Sequence, residues 1–279
     1  FAAHPEIRSS LSSGSLSFPL TDAEAILNHL EFRMQEDFPV LPVPVECRVK
    51  TVSDCLSPYV APAYYLTPAI DATTENVIYL NPRSDPDPIE LYTVLAHEGF
   101  PGHLYQSVYS TEFLSSQKVL PLRHLLGCGG YAEGWALYVE FLSYDYGAQL
   151  LREQGRELDS YCCEALKLNR RLQLALLSLL DISVHNDGAD EKQVATILKN
   201  FGLSNGSRVY AYLVEEPTNY CKYFIGYLEI LSLKQEAESL WGEQYSDRQF
   251  HQFLLECGSG DFETIHQKLI ESGIGQSVS

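Results

Sequence analysis

The sequence predicts a mostly α-helical α+β protein: a multi-helix domain with a small antiparallel sheet near its N-terminal side. Three observations predict it. Apolar residues recur at helical spacing over most of residues 87–271. Capping residues open those stretches, and Gly or Pro closes them. Residues 45–82 instead carry short β-branched and aromatic runs between Pro- and Asp/Asn-rich breaks.

The elements follow in order. Residues 1–20 are rich in Ser, Gly and Pro and read as an irregular lead-in, with one domain over 21–279. Thr21-Asp22-Ala23-Glu24 forms a capping box, and its helix runs to about Glu36 before Pro39, Pro42 and Pro44. Strands are expected near 49–53, 63–66 and 77–80. They serve either as a scaffold or as an edge that holds an extended peptide by main-chain hydrogen bonds. Asp87 caps the next helix, with Pro88 in its first position and Glu90 closing the box. Leu91, Val94 and Leu95 give that helix its apolar face. After Gly127, Gly129 and Gly130 a helix is expected to about Tyr146, ended by Gly147. A long helix over about 149–182 follows, with Leu166, Leu172, Leu176 and Leu179 among its apolar positions. Further helices are expected near 190–200, 205–215, 219–241, 247–256 and 261–271, with Asp190 and Ser246 as caps.

Composition removes several classes. The 279 residues are 45% hydrophobic, enough for a large core. No run of about 18 apolar residues is present to span a membrane. The chain begins at Phe1 without a basic-then-apolar leader, so it is expected to be a processed chain or a fragment. Its compartment stays open between bacterial cytoplasm and cell envelope. The net charge of -18 repels phosphate backbones and argues against nucleic acid. Seven cysteines occur without a Cys-x-x-Cys pair, which argues against a thiolate metal site. Their thiols are expected to be reduced, and Cys47 with Cys55 is the pair weighed for a disulfide. No repeat or symmetry signal points to an oligomer.

The chemistry concentrates in His97-Glu98-Gly99-Phe100-Pro101-Gly102-His103 and in Tyr131-Ala132-Glu133-Gly134-Trp135-Ala136. Two imidazoles and a remote glutamate are the ligand set of a hydrolytic zinc site, with the first glutamate left over as a base. Histidines four apart on a helix point within about 40° of each other, whereas six apart they diverge by about 120°. The backbone between His97 and His103 must therefore bend. Gly99, Pro101 and Gly102 permit that, because proline lacks an amide hydrogen and glycine accepts unusual dihedrals. The expected ligands are His97, His103 and Glu133 around one Zn2+ per chain, with Glu98 as general base. Glu140, seven residues beyond Glu133, shares its helix face and is expected as a second-layer partner or an alternative ligand. Trp135 and Tyr138 are expected to wall the site. The competing explanation is a set of structural histidines in a helical protein with no site at all.

The two motifs, HEGFPGHLYQ and YAEGWALYVE, resemble a bacterial family known as a domain of unknown function, number eight-eight-five, a divergent relative of glutamate-ligand zinc peptidases. The likeness continues through Asp181-Ile182-Ser183-Val184-His185, through 217–226, and through Phe38-Pro39-Val40-Leu41-Pro42 and Tyr79-Leu80-Asn81-Pro82. It covers the chain from about residue 20 onward, with Asn219 a departure where a glutamine is the family pattern. The resemblance implies a mostly helical peptidase-like fold and a longer parent with a further helical N-terminal part. It also implies a donor to the developing oxyanion, for which Tyr223 and His185 are the matching residues, with Tyr220 as the rival of Tyr223.

The function expected from all this is zinc-dependent hydrolysis of short peptides. The alternative is a peptide-binding protein that keeps the fold without the reaction.

Overall fold

The computed structural model describes residues 5–13, 16–117 and 126–276. The protein is mostly helical with one three-stranded sheet near its N-terminal side. Helix α1 (Pro5–Ser13) lies inside the stretch expected to be irregular. Helix α2 (Ala23–Met34) starts at Asp22, not Thr21, because the Asp22 side chain accepts the Ala25 amide. Buried Ile26, Leu27, Leu30 and Met34 turn its apolar face to the core.

The strands are β1 (Glu46–Thr51), β2 (Ala63–Leu66) and β3 (Glu75–Leu80), in the spatial order β1-β3-β2. The β2–β3 pair is antiparallel as expected, but β1 runs parallel to β3, so the sheet is mixed. The reason is the connection. The chain reverses once between β1 and β2 and again before β3, which restores its direction. Buried Asn81 ties the first of those turns down, donating to the Ser57 and Val60 carbonyls at 2.8 and 3.1 Å. Strands β1 and β2 form the two edges of the sheet.

Helix α3 (Pro88–Glu98) begins at Pro88 as expected, although Asp87 makes no capping bond. Helix α4 (His103–Ser116) follows after four residues. Helix α5 (Gly129–Glu153) forms the centre of the molecule. It passes through Gly147, where a Cβ would stand 3.3–3.4 Å from Phe18, Cys163 and Ile89. That glycine serves close packing. The stop comes at Gly155, whose φ of +72° suits glycine.

Helix α6 (Glu157–His185) buries Cys162, Cys163, Leu174, Ser178 and Leu180. Leu172 and Leu179, expected in its apolar face, are 70% and 54% exposed. The helix turns its other side inward. Helices α7 (Glu191–Asn200) and α8 (Gly206–Glu215) close a small cluster of Leu180, Val194, Leu198 and Leu213. The Asp190 box is complete, with Asp190 accepting the Gln193 amide.

Helix α9 (Asn219–Trp241) crosses α5 at Gly134 and Gly226. A Cβ on Gly134 would lie 2.5 Å from the Gly226 carbonyl carbon, so only glycines allow this approach. Helices α10 (Asp247–Cys257) and α11 (Phe262–Gln276) complete the domain, α10 capped by Ser246. The main core holds Trp135, Tyr92, Tyr105 and Phe38, each almost wholly buried. Each such side chain contributes about 1.5–3 kcal/mol of apolar burial. All seven cysteines are free, so Cys47 and Cys55 are not joined.

Candidate metal centre

Three helices converge on one point. His97 and Glu98 end α3, His103 opens α4 and Glu133 stands in the second turn of α5. The bend between the histidines is a full break. Gly99 caps α3 with φ -108° and ψ -101°, and its amide still reaches the Leu95 carbonyl at 2.9 Å. The Phe100–Pro101 peptide is cis. Gly102 then precedes α4, and a Cβ there would lie 1.8 Å from the His97 carbonyl oxygen. Only a bare Cα fits beside the end of α3. Trp135 holds the turn from outside, donating from its indole Nε1 to the Pro101 carbonyl at 2.9 Å.

This break places the imidazoles of His97 and His103 with centroids 4.9 Å apart, nearly perpendicular. His97, Glu98 and His103 offer ligand atoms that all lie within 4.8 Å of one another, a group that could hold a metal ion. Glu133 meets the same point. Its Oε2 stands 3.3 Å from His103 Nε2 and 3.6 Å from His97 Nε2. That oxygen is buried and makes no well-formed hydrogen bond among the described residues. Nitrogen and oxygen ligands about 2.0–2.1 Å from a tetrahedral ion stand about 3.3–3.4 Å from each other. The two Glu133 distances, 3.3 and 3.6 Å, are close to that spacing.

The surrounding groups fix the set. Glu140 reaches His97 Nδ1 at 3.0 Å, and Arg170 Nε donates to the other Glu140 oxygen at 3.0 Å. Burial works against a charged His97, but Glu133 and Glu140 outweigh it and push its pKa up to about 10. Burial alone would raise the Glu133 carboxyl, yet His103 and His97 hold it well below the usual carboxylate range. Glu140 is likewise lowered, by His97 and Arg170 against its burial. Glu98 is anchored differently, its Oε2 accepting the Tyr65 amide of β2 at 2.8 Å.

Tyr223 lies beside this group. Its ring centroid is 6.0 Å from that of His97, and burial and then Glu133 raise its pKa. Tyr220 borders the same cleft as Tyr223, its ring 5.7 Å from that of Tyr212. His185 is not brought to the cleft that holds His97, Glu98, Glu140 and Tyr223. Its Nε2 pairs with the Leu213 carbonyl at 2.9 Å, so the imidazole ties α6 to α8. Trp135 and Tyr138 do not wall the cavities at the centre. Tyr138 hydrogen-bonds His251 at 2.9 Å on the far side of α5.

Three participants escaped the sequence reading. Arg170 sits on a helix thirty residues beyond Glu140, and nothing local marks it as that carboxylate's partner. The Tyr65 contact uses a backbone amide, which no side-chain pattern reveals. Lys222, with Nζ 3.9 Å from Glu133 Oε1, carried a weak signal as the only cation in the segment 217–226.

Comparison with known proteins agrees with this architecture. The family described as "Bacterial protein of unknown function (DUF885)" matches residues 17–269. Among curated proteins none matches. Among the solved structures that share the fold, two are each described as a "putative lipoprotein". The one from Colwellia psychrerythraea has a TM-score of 0.75 at 22% identity, over 92% of this chain and 43% of its own. The one from Shewanella oneidensis, of unknown function, has a TM-score of 0.60 at 19% identity, over 89% of this chain and 45% of its own. The chain thus spans less than half the length of either. No described helix is long and apolar enough to cross a membrane.

Proposed function

The chain belongs to the DUF885 family, and from that premise we propose that it is a zinc-dependent peptidase that hydrolyses short peptides. The observation that carries this reading is the position of Glu133 Oε2 between His97 Nε2 and His103 Nε2, at 3.6 and 3.3 Å. Two imidazoles and one carboxylate suit zinc, which when bound supplies Lewis acidity and lowers the pKa of water.

The chain's own residues divide the remaining work. His97, His103 and Glu133 would hold the ion. Glu140, braced by Arg170, orients His97. Glu98 shares the cluster and has one oxygen engaged by the Tyr65 amide; its part is to take a proton from water. The water oxygen bonds to the carbonyl carbon, the amide C–N bond breaks, and Glu98 returns the proton to the leaving nitrogen. Tyr223, adjacent to Glu133 and His97, donates to the oxygen that gains charge.

The test combines metal content with turnover. Purified protein is expected to carry about one zinc per chain, and to cleave short peptides only while that zinc is present. Protein that binds peptides but leaves them intact when zinc-loaded would favour a binding role instead.

A further inference from the structure

Two cavities flank the metal-ligand cluster, and their linings differ in chemistry. One, of about 530 Å³, is bordered by His97, Glu98, Glu140 and Tyr223. The other, of about 460 Å³, is bordered by His103. Both sizes are those of small-ligand sites. Edge strand β2 connects them. Ala61, Pro62 and Ala63 border the first cavity, and Tyr65, Thr67 and Pro68 border the second. Between these sits the Tyr65 amide on Glu98. From residue 61 to 68 an extended chain covers about 23 Å, the length of about seven peptide residues.

Charge distinguishes the ends. The first cavity is lined by Asp87, Glu90, Glu98 and Glu140, with Arg170 tied to Glu140. The second is lined among the described residues by no Asp, Glu, Lys or Arg, but by apolar and neutral polar groups that include Ile70, Leu114 and Tyr131. A chain terminus buried in the second cavity would meet no charged partner among the described lining residues, which is costly. A neutral side chain would lose nothing there.

We propose that this protein cuts peptide bonds within a chain, with substrate crossing both cavities and an uncharged residue beside the cut seated in the cavity of Ile70, Leu114 and Tyr131. The proposal rests on the hydrolase reading above and adds the position of the cut and the residue class on one side. The reaction is the same balanced hydrolysis. Water supplies hydroxyl to the carbonyl carbon and hydrogen to the leaving nitrogen, and no other co-reactant is needed.

The experiment uses zinc-loaded protein and one eight-residue peptide in four forms: both ends free, N-acetylated, C-amidated and doubly blocked. All four are expected to be cut at one internal bond, with kcat/KM values within about threefold of each other. A loss of tenfold or more on acetylation or amidation would overturn the proposal, since it marks a site that reads a terminus. A second measurement replaces each residue flanking the cut by Leu, Lys or Asp. Charge on one side only is expected to lower kcat/KM at least tenfold, and Ile70→Glu is expected to shift that side's preference toward Lys. An unaltered preference in Ile70→Glu overturns the assignment of the cavity. No cleavage of any peptide would fail the hydrolase reading itself, an outcome separate from terminus-dependent cleavage.

Discussion

His97 Nδ1 lies 3.0 Å from the Glu140 carboxylate, while its Nε2 faces Glu133, one helix face serving both ring nitrogens. The seven-residue interval between Glu133 and Glu140 is two turns of α5, so both carboxylates point the same way. With a metal bound, a proton kept at Nδ1 toward Glu140 would leave the Nε2 lone pair for a ligand position. Arg170 completes the line by neutralising the buried Glu140.

Replacing Glu140 with Gln keeps its shape and removes its charge. Zinc affinity is expected to fall about 10–100-fold, the range seen when partners of metal-bound histidines are lost. Competition against a chelator of known affinity measures it. Unchanged affinity would leave Glu140 as a core carboxylate and no more.

Glu98→Gln separates holding the metal from using it. Metal stoichiometry is expected to stay near that of the parent protein, and kcat/KM to fall about 10²–10⁴-fold, the span of general-base contributions. Loss of the metal in this variant would instead make Glu98 a ligand.

Gly102→Ala sets a methyl group against the His97 and Ala96 carbonyl oxygens, 1.8 and 2.3 Å from its Cβ. Both are backbone atoms and cannot turn aside. A loss of about 2–4 kcal/mol in stability is expected, together with failure to bind zinc. Denaturant melts and elemental analysis check the two effects.

His251 makes stability depend on pH. Burial is the chief cause that holds its pKa down to about 4, and its ring is engaged by Tyr138 and the Asp37 carbonyl. An unfolded histidine titrates near about 6.5. As pH falls from about 6.5 to about 4, the unfolded chain takes up this proton and the folded chain does not. Stability is therefore present above that window and lost through it, by an amount on the order of 3 kcal/mol. His251→Gln is expected to be less stable at neutral pH, with a shallower loss over the window by urea melts.

Much of the site was legible because its groups lie close together in the sequence. The two glycines and the proline between His97 and His103 announce a break, and the structure places the imidazoles 4.9 Å apart. Helix starts at Asp190 and Ser246 were legible for the same local reason. What escaped depends on where distant segments meet. Arg170 finds Glu140 only once α6 lies on α5. The parallel pairing of β1 with β3 follows from two chain reversals, not from the strands' residues. Gly147 reads as a stop by itself, but Phe18, Cys163 and Ile89 crowd the same atom. His185 has the character of a donor, yet the nearest acceptor is the Leu213 carbonyl.

The contact of Gly134 with Gly226 joins the helix bearing Glu133 to the helix bearing Tyr223 at a point where neither can slide without collision. Glu133 is one residue before its glycine, and Tyr223 is three before the other. The metal-side carboxylate and the phenol thus inherit their separation from a bare backbone junction. A methyl group at that junction, though it touches neither side chain, would drive the two apart.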